Sequence, residues 1–179
     1  MANLITGDTI IDFTLPATDG QTYTAHEFFS GAAAAIVVFT CNHCPYVKAW
    51  EDRVNVIARD YASQGVRMLA INANDVSRYP ADSLENMAKR ATEKGFVFPY
   101  LYDESQVVAH AYGAERTPEV FVFDASGKLR YHGAPDDNYE DEKAVKHRYA
   151  REALDAILAE KEVTTAETKA VGCTIKWKL

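Results

Sequence analysis

The chain has 179 residues, 47% of them hydrophobic and 25% charged, with 9 glycines and 6 prolines, a composition that excludes disorder and fibrous repeats. At about 100–200 residues per domain, this length suits one compact unit, residues 1–179, able to bury a core and fold without cross-links. Against 26 acidic side chains stand 19 basic ones, for a net charge of −7, and the longest basic run is Lys89-Arg90, so nucleic acid is not an expected partner.

The N-terminus, Met1 to Asp8, lacks the basic start and long apolar segment of an export signal, and a cytoplasmic location is expected. Ile10 to Leu15 and Gln21 to Thr24 flank Pro16 to Gly20, where an Asp-Gly turn between apolar runs predicts a hairpin. A short helix is expected over Ala25 to Phe29, and then Ala33 to Thr40 reads as the central strand. Its continuous Ile36 to Phe39 run is what strands buried on both faces display. The uncharged stretch around it contains Asn42, His43 and Pro45 and is apolar only from Ala32 to Phe39, which makes a buried strand and not a membrane span.

Beyond the strand, Val47, Trp50, Val54, Ile57, Ala58 and Tyr61 recur at steps of three and four, predicting an amphipathic helix that ends near Gly65. A strand over Val66 to Asn72 leads through a loop containing Asp75 and Pro80 to a helix with Leu84, Met87, Ala88 and Ala91 on its inner face, stopped by Gly95. A short strand at Tyr100 to Tyr102 precedes a helix from Glu104 to Tyr112. Thr117-Pro118 then opens a strand over Glu119 to Asp124, which the Ala125 to Gly127 turn reverses into Lys128 to His132. A last long helix is expected over Glu142 to Glu160, with Val145, Ala150, Ala153, Leu154, Ile157 and Leu158 facing inward, and a mostly polar tail, 161–179, follows. Alternating strands and helices closed by an antiparallel pair predict an α/β fold with a mixed central sheet and helices on both faces.

The chemistry is carried by Thr40 to Pro45, at the joint between the most apolar strand and a well-formed helix. Three cysteines, two as Cys41-x-x-Cys44 and one at Cys173, do not make the disulfide framework of a secreted scaffold; in a reducing compartment such a pair indicates catalysis or metal. Cys44 lies three residues before Val47 and continues the buried stripe, whereas Cys41 falls where a helix start offers unpaired N–H groups. The expectation is one exposed and one sheltered sulfur, with the Cys41 thiolate stabilised below the free value of ~8.5. Cys41 is then the nucleophile and Cys44 the resolving thiol. His43 between them either favours the thiolate by its charge or is a solvated loop residue. A structural zinc site needs four ligands, usually from a second paired motif, and none exists here.

These residues resemble a family. The chain is similar to the thioredoxin-like redoxins of the alkyl hydroperoxide reductase and thiol-specific antioxidant (AhpC/TSA) superfamily, related to the TlpA/ResA-like thiol–disulfide oxidoreductases. The resemblance runs over nearly the whole chain: Gly7-Asp8, Asp12-Phe13 and Leu15 with Asp19 to Gln21; Cys41 to Val47; Thr117-Pro118; and Gly172 to Trp177. It implies a single thioredoxin-like domain with an N-terminal hairpin extension and a C-terminal tail, in which Pro118 is a cis-proline facing the dithiol. Thr117 would then be free to hydrogen-bond an extended substrate beside Cys41, the alternative being a trans proline on an edge strand.

Departures from the relatives matter. Peroxiredoxins resemble Pro-x-x-x-Thr-x-x-Cys at the peroxide site, but Thr40 directly precedes Cys41 and Val38 stands three before it. Arg116 is placed either near Cys41 or in a surface salt bridge. TlpA/ResA-like enzymes can carry a proton-accepting Glu where this chain has Val47, which leaves Asp136 or Asp137 as candidate acceptors or as turn and cap residues. Cys173 is either a third redox thiol reaching the site or a small buried residue under a tail packed through Ile175 and Trp177.

The leading expectation is a cofactor-free thiol–disulfide oxidoreductase acting on a protein or small-molecule disulfide and taking electrons from another thiol protein. Pro45, Thr117 and Pro118 would support Cys41 and Cys44. The rivals are a thiol peroxidase passing through a Cys41 sulfenic acid and a Cu(I)-handling protein using Cys41, Cys44 and His43. Nothing Gly-rich indicates a nucleotide or flavin site.

Overall fold

The computed structural model describes residues 3–179; Met1 and Ala2, the start of the segment read as lacking an export signal, lie outside it. A five-stranded sheet organises the molecule, in the order β5 (Tyr100–Tyr102), β4 (Val66–Asn72), β3 (Ala34–Phe39), β7 (Glu119–Asp124), β8 (Leu129–Gly133). β3 is central, parallel to β4 and antiparallel to β7, so the sheet is mixed as expected. β4 and β5 are parallel and β7 and β8 antiparallel.

Strand alternation explains why uninterrupted apolar runs are needed. On one face Ala35, Val37 and Phe39 of β3, Leu69 and Ile71 of β4, and Phe121 and Phe123 of β7 share one core. The intervening Ala34, Ile36, Val38, Met68, Ala70, Val120 and Val122 share the other. Helices α2 (Pro45–Tyr61), α3 (Leu84–Lys94) and α5 (Tyr149–Leu158) cover this second face. The first is covered by α1 (Ala25–Phe28), α4 (Val107–Tyr112), Phe13, Leu15 and, from the far end of the chain, Ile175. No described helix is long and apolar enough to cross a membrane.

The hairpin is present but short: β1 (Thr14–Pro16) pairs with β2 (Thr22–Thr24) around Gly20, whose φ of +81° suits a residue without a Cβ. α4 begins later than expected, at Val107. Leu84, predicted inside, is 37% exposed, while Met87 is fully buried. The largest departure is the last helix. Residues 142–144 form one 3₁₀ turn, Val145 is extended, and α5 covers only 149–158. The physical reason is local: the Asp137 carboxylate accepts the N–H groups of Lys146 and His147, so these amides are taken before they can propagate a helix.

The tail is no loose appendage. The Thr168 amide donates to the His132 carbonyl. Cys173–Thr174 (β9) then pairs antiparallel with Arg116–Thr117 (β6). Beyond it, Ile175 is buried and Trp177 stacks on His110 at 4.0 Å. The Lys176 carbonyl accepts from the Gln106 side chain and from the Asp75 amide. A segment with little hydrophobic periodicity is thus held mainly by hydrogen bonds to loops that are remote in sequence.

Candidate active site

β3 delivers the chain to the site. Its last sheet bond runs from the Thr40 amide to the Ile71 carbonyl at 2.8 Å, after which Cys41 to Cys44 form a turn into α2. Pro45 takes the first helical position, where a missing N–H costs nothing. Cys44 is therefore the N-cap residue, and Cys41 lies three residues earlier, outside the helix whose start it was expected to mark. The expected exposed sulfur is not found either: Cys41 is 3% and Cys44 0% exposed.

Both sulfurs converge on one residue of the facing loop. Cys41 Sγ lies 3.5 Å from the Thr117 hydroxyl, and Cys44 Sγ lies 3.4 Å from the Thr117 carbonyl oxygen, to which the thiol donates when protonated. The Thr117–Pro118 peptide is cis. The loop is tied down from below by buried Glu119, which accepts the N–H groups of Glu115 and Arg116 at 2.8 Å and meets His132. The Thr117 backbone, expected to be free for a substrate, is instead paired with Cys173 of β9.

The thiols are coupled. Cys44 is lowered to about 4, first by the hydrogen bond from the Cys41 thiol, and further by the Cys173 side chain and by the Val47 and Cys173 amides, against the opposing effect of burial. Cys41 is held well above the ordinary thiol range, first by its hydrogen bond to Cys44, then by burial, and also by the nearby charge of Asp82. The pair thus loses its first proton readily and its second with difficulty, with the remaining proton between the two sulfurs. The helix amide of Val47 reaches Cys44, whereas the sequence led one to expect such stabilisation at Cys41. Cys173 is pushed up to about 11 by burial and by its hydrogen bond to Cys44.

The carboxylate that faces the turn is Asp82, from the loop before α3. It is fully buried and accepts from the Asn42 amide at 2.7 Å and from the side chains of Asn72 and Asn74 at 3.2 and 2.9 Å. His43 Nδ1 lies 2.6 Å from it, off the line of a hydrogen bond, while the imidazole stacks on Tyr79 at 5.7 Å. Sequence reasoning missed Asp82. The available signal was that Asp82-Ser83 offers two capping residues for one helix: Ser83 caps α3, which leaves the aspartate for another task.

The remaining candidates lie elsewhere. Asp136 accepts from the Trp50 indole and pairs with Arg53, and Asp137 closes the 137–147 loop; these are the partners the structure gives the two carboxylates considered as acceptors for the dithiol. Arg116 donates to the Gly172 carbonyl at 3.1 Å, fastening the tail, in place of the Cys41 contact or surface salt bridge considered for it. As for metal, Cys41, His43 and Asp82 each bring one ligand atom within 4.8 Å of the others. Both Asp82 oxygens, however, already accept from asparagines.

The family model described as Redoxin matches residues 5–148. A hypothetical protein from Sinorhizobium meliloti 1021 superposes with a TM-score of 0.92 at 39% identity, over 99% of this chain and 97% of that one. An uncharacterized conserved protein from Geobacillus kaustophilus gives 0.91 at 41% identity, over 97% and 93%. A thiol:disulfide interchange protein of the thioredoxin family from Chlorobium tepidum TLS, 19% identical with a TM-score of 0.63 over 89% and 98%, shares the fold. No curated protein matches the chain.

Proposed function

This chain belongs to the redoxin family and has the thioredoxin-like fold, and on that premise we propose that it is a thiol–disulfide oxidoreductase cycling Cys41 and Cys44 between dithiol and disulfide. The observation that supports this reading is the convergence of the two thiols on Thr117, one on its hydroxyl and one on its carbonyl, beside the cis proline. Cys41 is the nucleophile. It has fewer polar partners than Cys44, which is enclosed by the Thr117 carbonyl, the Val47 amide and Cys173.

As Cys41 attacks a substrate disulfide, the shared proton passes to Cys44. A Cys41–substrate bond forms, the substrate S–S bond breaks, and one substrate thiolate leaves to be protonated. Cys44 then passes its proton to the departed substrate thiolate and attacks Cys41 Sγ, breaking the Cys41–substrate bond and expelling the second half as a thiolate. The substrate disulfide has gained two electrons and the protein dithiol has lost them, and an external thiol protein restores them. Asp82 acts as a positioning residue by holding the Asn42 amide, and with it the turn.

Disulfide exchange is favoured over peroxide reduction because Val38, apolar and buried in β3, stands where a peroxide site would need a hydroxyl, and Arg116 is engaged by the tail. The test is reduction of a model disulfide by the wild type, Cys41→Ser and Cys44→Ser. Cys41→Ser is expected to abolish exchange and Cys44→Ser to accumulate mixed disulfides. Stopped-flow sulfenate formation with hydrogen peroxide faster than that of a free thiol would reverse the choice between the two reactions. Stoichiometric copper retained in native mass spectrometry together with blocked exchange would favour metal handling.

A further inference from the structure

We propose that Cys173 is a third redox-active thiol, which forms an internal disulfide with Cys44 and so links the buried dithiol to the surface. This deepens the reading above and rests on it for the source of oxidation. Four features of the structure place the residue. Cys173 packs against the Cys41, Cys44 and Val47 cluster. The β6–β9 register sets it directly opposite Thr117, the residue whose carbonyl accepts the Cys44 thiol at 3.4 Å. Its side chain and its amide lie close enough to Cys44 to help hold that thiol down. It is also the only one of the three cysteines not fully buried.

The seating of the strap is specific. A Cβ added at Gly172 would stand 2.1 Å from the Thr117 carbonyl oxygen, so only glycine allows the backbone to approach this closely. Arg116 fastens the same residue through its carbonyl, Ile175 is buried beyond the cysteine, and Lys176 is clasped by Asn74 and Gln106. The tail thus adds a strand to the edge where a substrate peptide was expected, and brings a thiol with it.

The chemistry follows from the Cys41–Cys44 disulfide. Cys173, once deprotonated, attacks Cys44 Sγ. The Cys44–Cys173 bond forms as the Cys41–Cys44 bond breaks, and Cys41 leaves as a thiolate and takes up the proton that Cys173 gave up. The oxidation level of the chain does not change. An external thiol then attacks Cys173 Sγ, and a second thiol completes the two-electron reduction.

The experiment uses the full-length Cys41→Ser protein, which retains Cys44 and Cys173, treated with oxidised glutathione, quenched with acid and mapped by non-reducing peptide mass spectrometry. The expected result is loss of both thiols to one intramolecular Cys44–Cys173 disulfide with release of two reduced glutathiones. Persistent thiols, or glutathione left on Cys173, would overturn the proposal. Cys41→Ala provides the same readout should the serine variant misfold. Cys44→Ser is expected to yield little Cys41–Cys173 product; an equal yield would overturn the pairing with Cys44. A wild type inactive in disulfide exchange would reject the oxidoreductase reading whatever the Cys41→Ser map shows, so the two failures are distinguishable.

Discussion

Two segments meet at Thr117 and are held there by different means. The dithiol turn, residues 40–45, is fixed by covalent continuity with the central strand and α2 and by the buried Asp82 carboxylate beneath it. The strap, residues 161–179, reaches the same residue from the far end of the chain and is held by a two-residue strand pair, a close glycine contact and side-chain clasps. A turn continuous with the central strand and its helix, and seated on a buried carboxylate, has a fixed geometry as soon as the core forms. A strap anchored by scattered hydrogen bonds belongs to the part of a structure that opens locally at lower cost.

The comparison can be broken from either side. The largest effect is expected from Asp82→Ala, which removes the acceptor of the Asn42, Asn72 and Asn74 donors and should cost about 3–5 kcal/mol in urea unfolding. Disulfide exchange should fall with it even where the protein remains folded. Asp82→Asn retains the side-chain volume and should recover part of the stability. A stability unchanged in both variants would show that the turn does not depend on this carboxylate.

Gly172→Ala attacks the strap instead. The clash with the Thr117 carbonyl should cost about 1–3 kcal/mol, raise the alkylation rate of Cys173 and lower the yield of the Cys44–Cys173 disulfide. The core should be spared, and alkylation at the wild-type rate would mean that the strap tolerates the extra carbon.

Protonation offers a smaller and reversible perturbation. Cys44 is depressed to about 4 from an ordinary value near 9.0, so its contribution to stability is fully present above the unfolded pKa and is lost as the pH falls through about 4. Cys41 and Cys173 are raised, and their contributions disappear as the pH rises above the ordinary thiol range. Thiolate absorbance at 240 nm should therefore persist at neutral pH, decline near pH 4 and be absent at neutral pH in Cys44→Ser. A first thiolate appearing only near pH 9 would contradict the shared-proton pair.

The smallest effect is expected from Trp177→Ala, which removes the stack on His110 and should cost about 0.5–1.5 kcal/mol beyond the lost burial. Faster hydrogen exchange should follow in the strap alone. Faster exchange extending into β3 would show that strap and core open together.

By itself, the sequence determined the sheet and the candidate residues. The runs in β3, β4 and β7 must be apolar throughout when both faces are covered, and the stripe of α2, the stop of α3 at Gly95 and the Asp-Gly turn are likewise local consequences of side-chain spacing and backbone preference. Cys41 and Cys44 were legible because they sit at the end of such a strand, and Thr117 and Pro118 through the resemblance to the redoxins. Only the tertiary structure decided that Cys44 caps the helix, that Asp82 rather than Asp136 or Asp137 faces the turn, that the 142–160 helix is interrupted, and that Cys173 lies beside Cys44. Each of these depends on a hydrogen bond or a close approach between residues remote along the chain. Propensity and periodicity act over a few neighbouring residues and hold no information about such contacts.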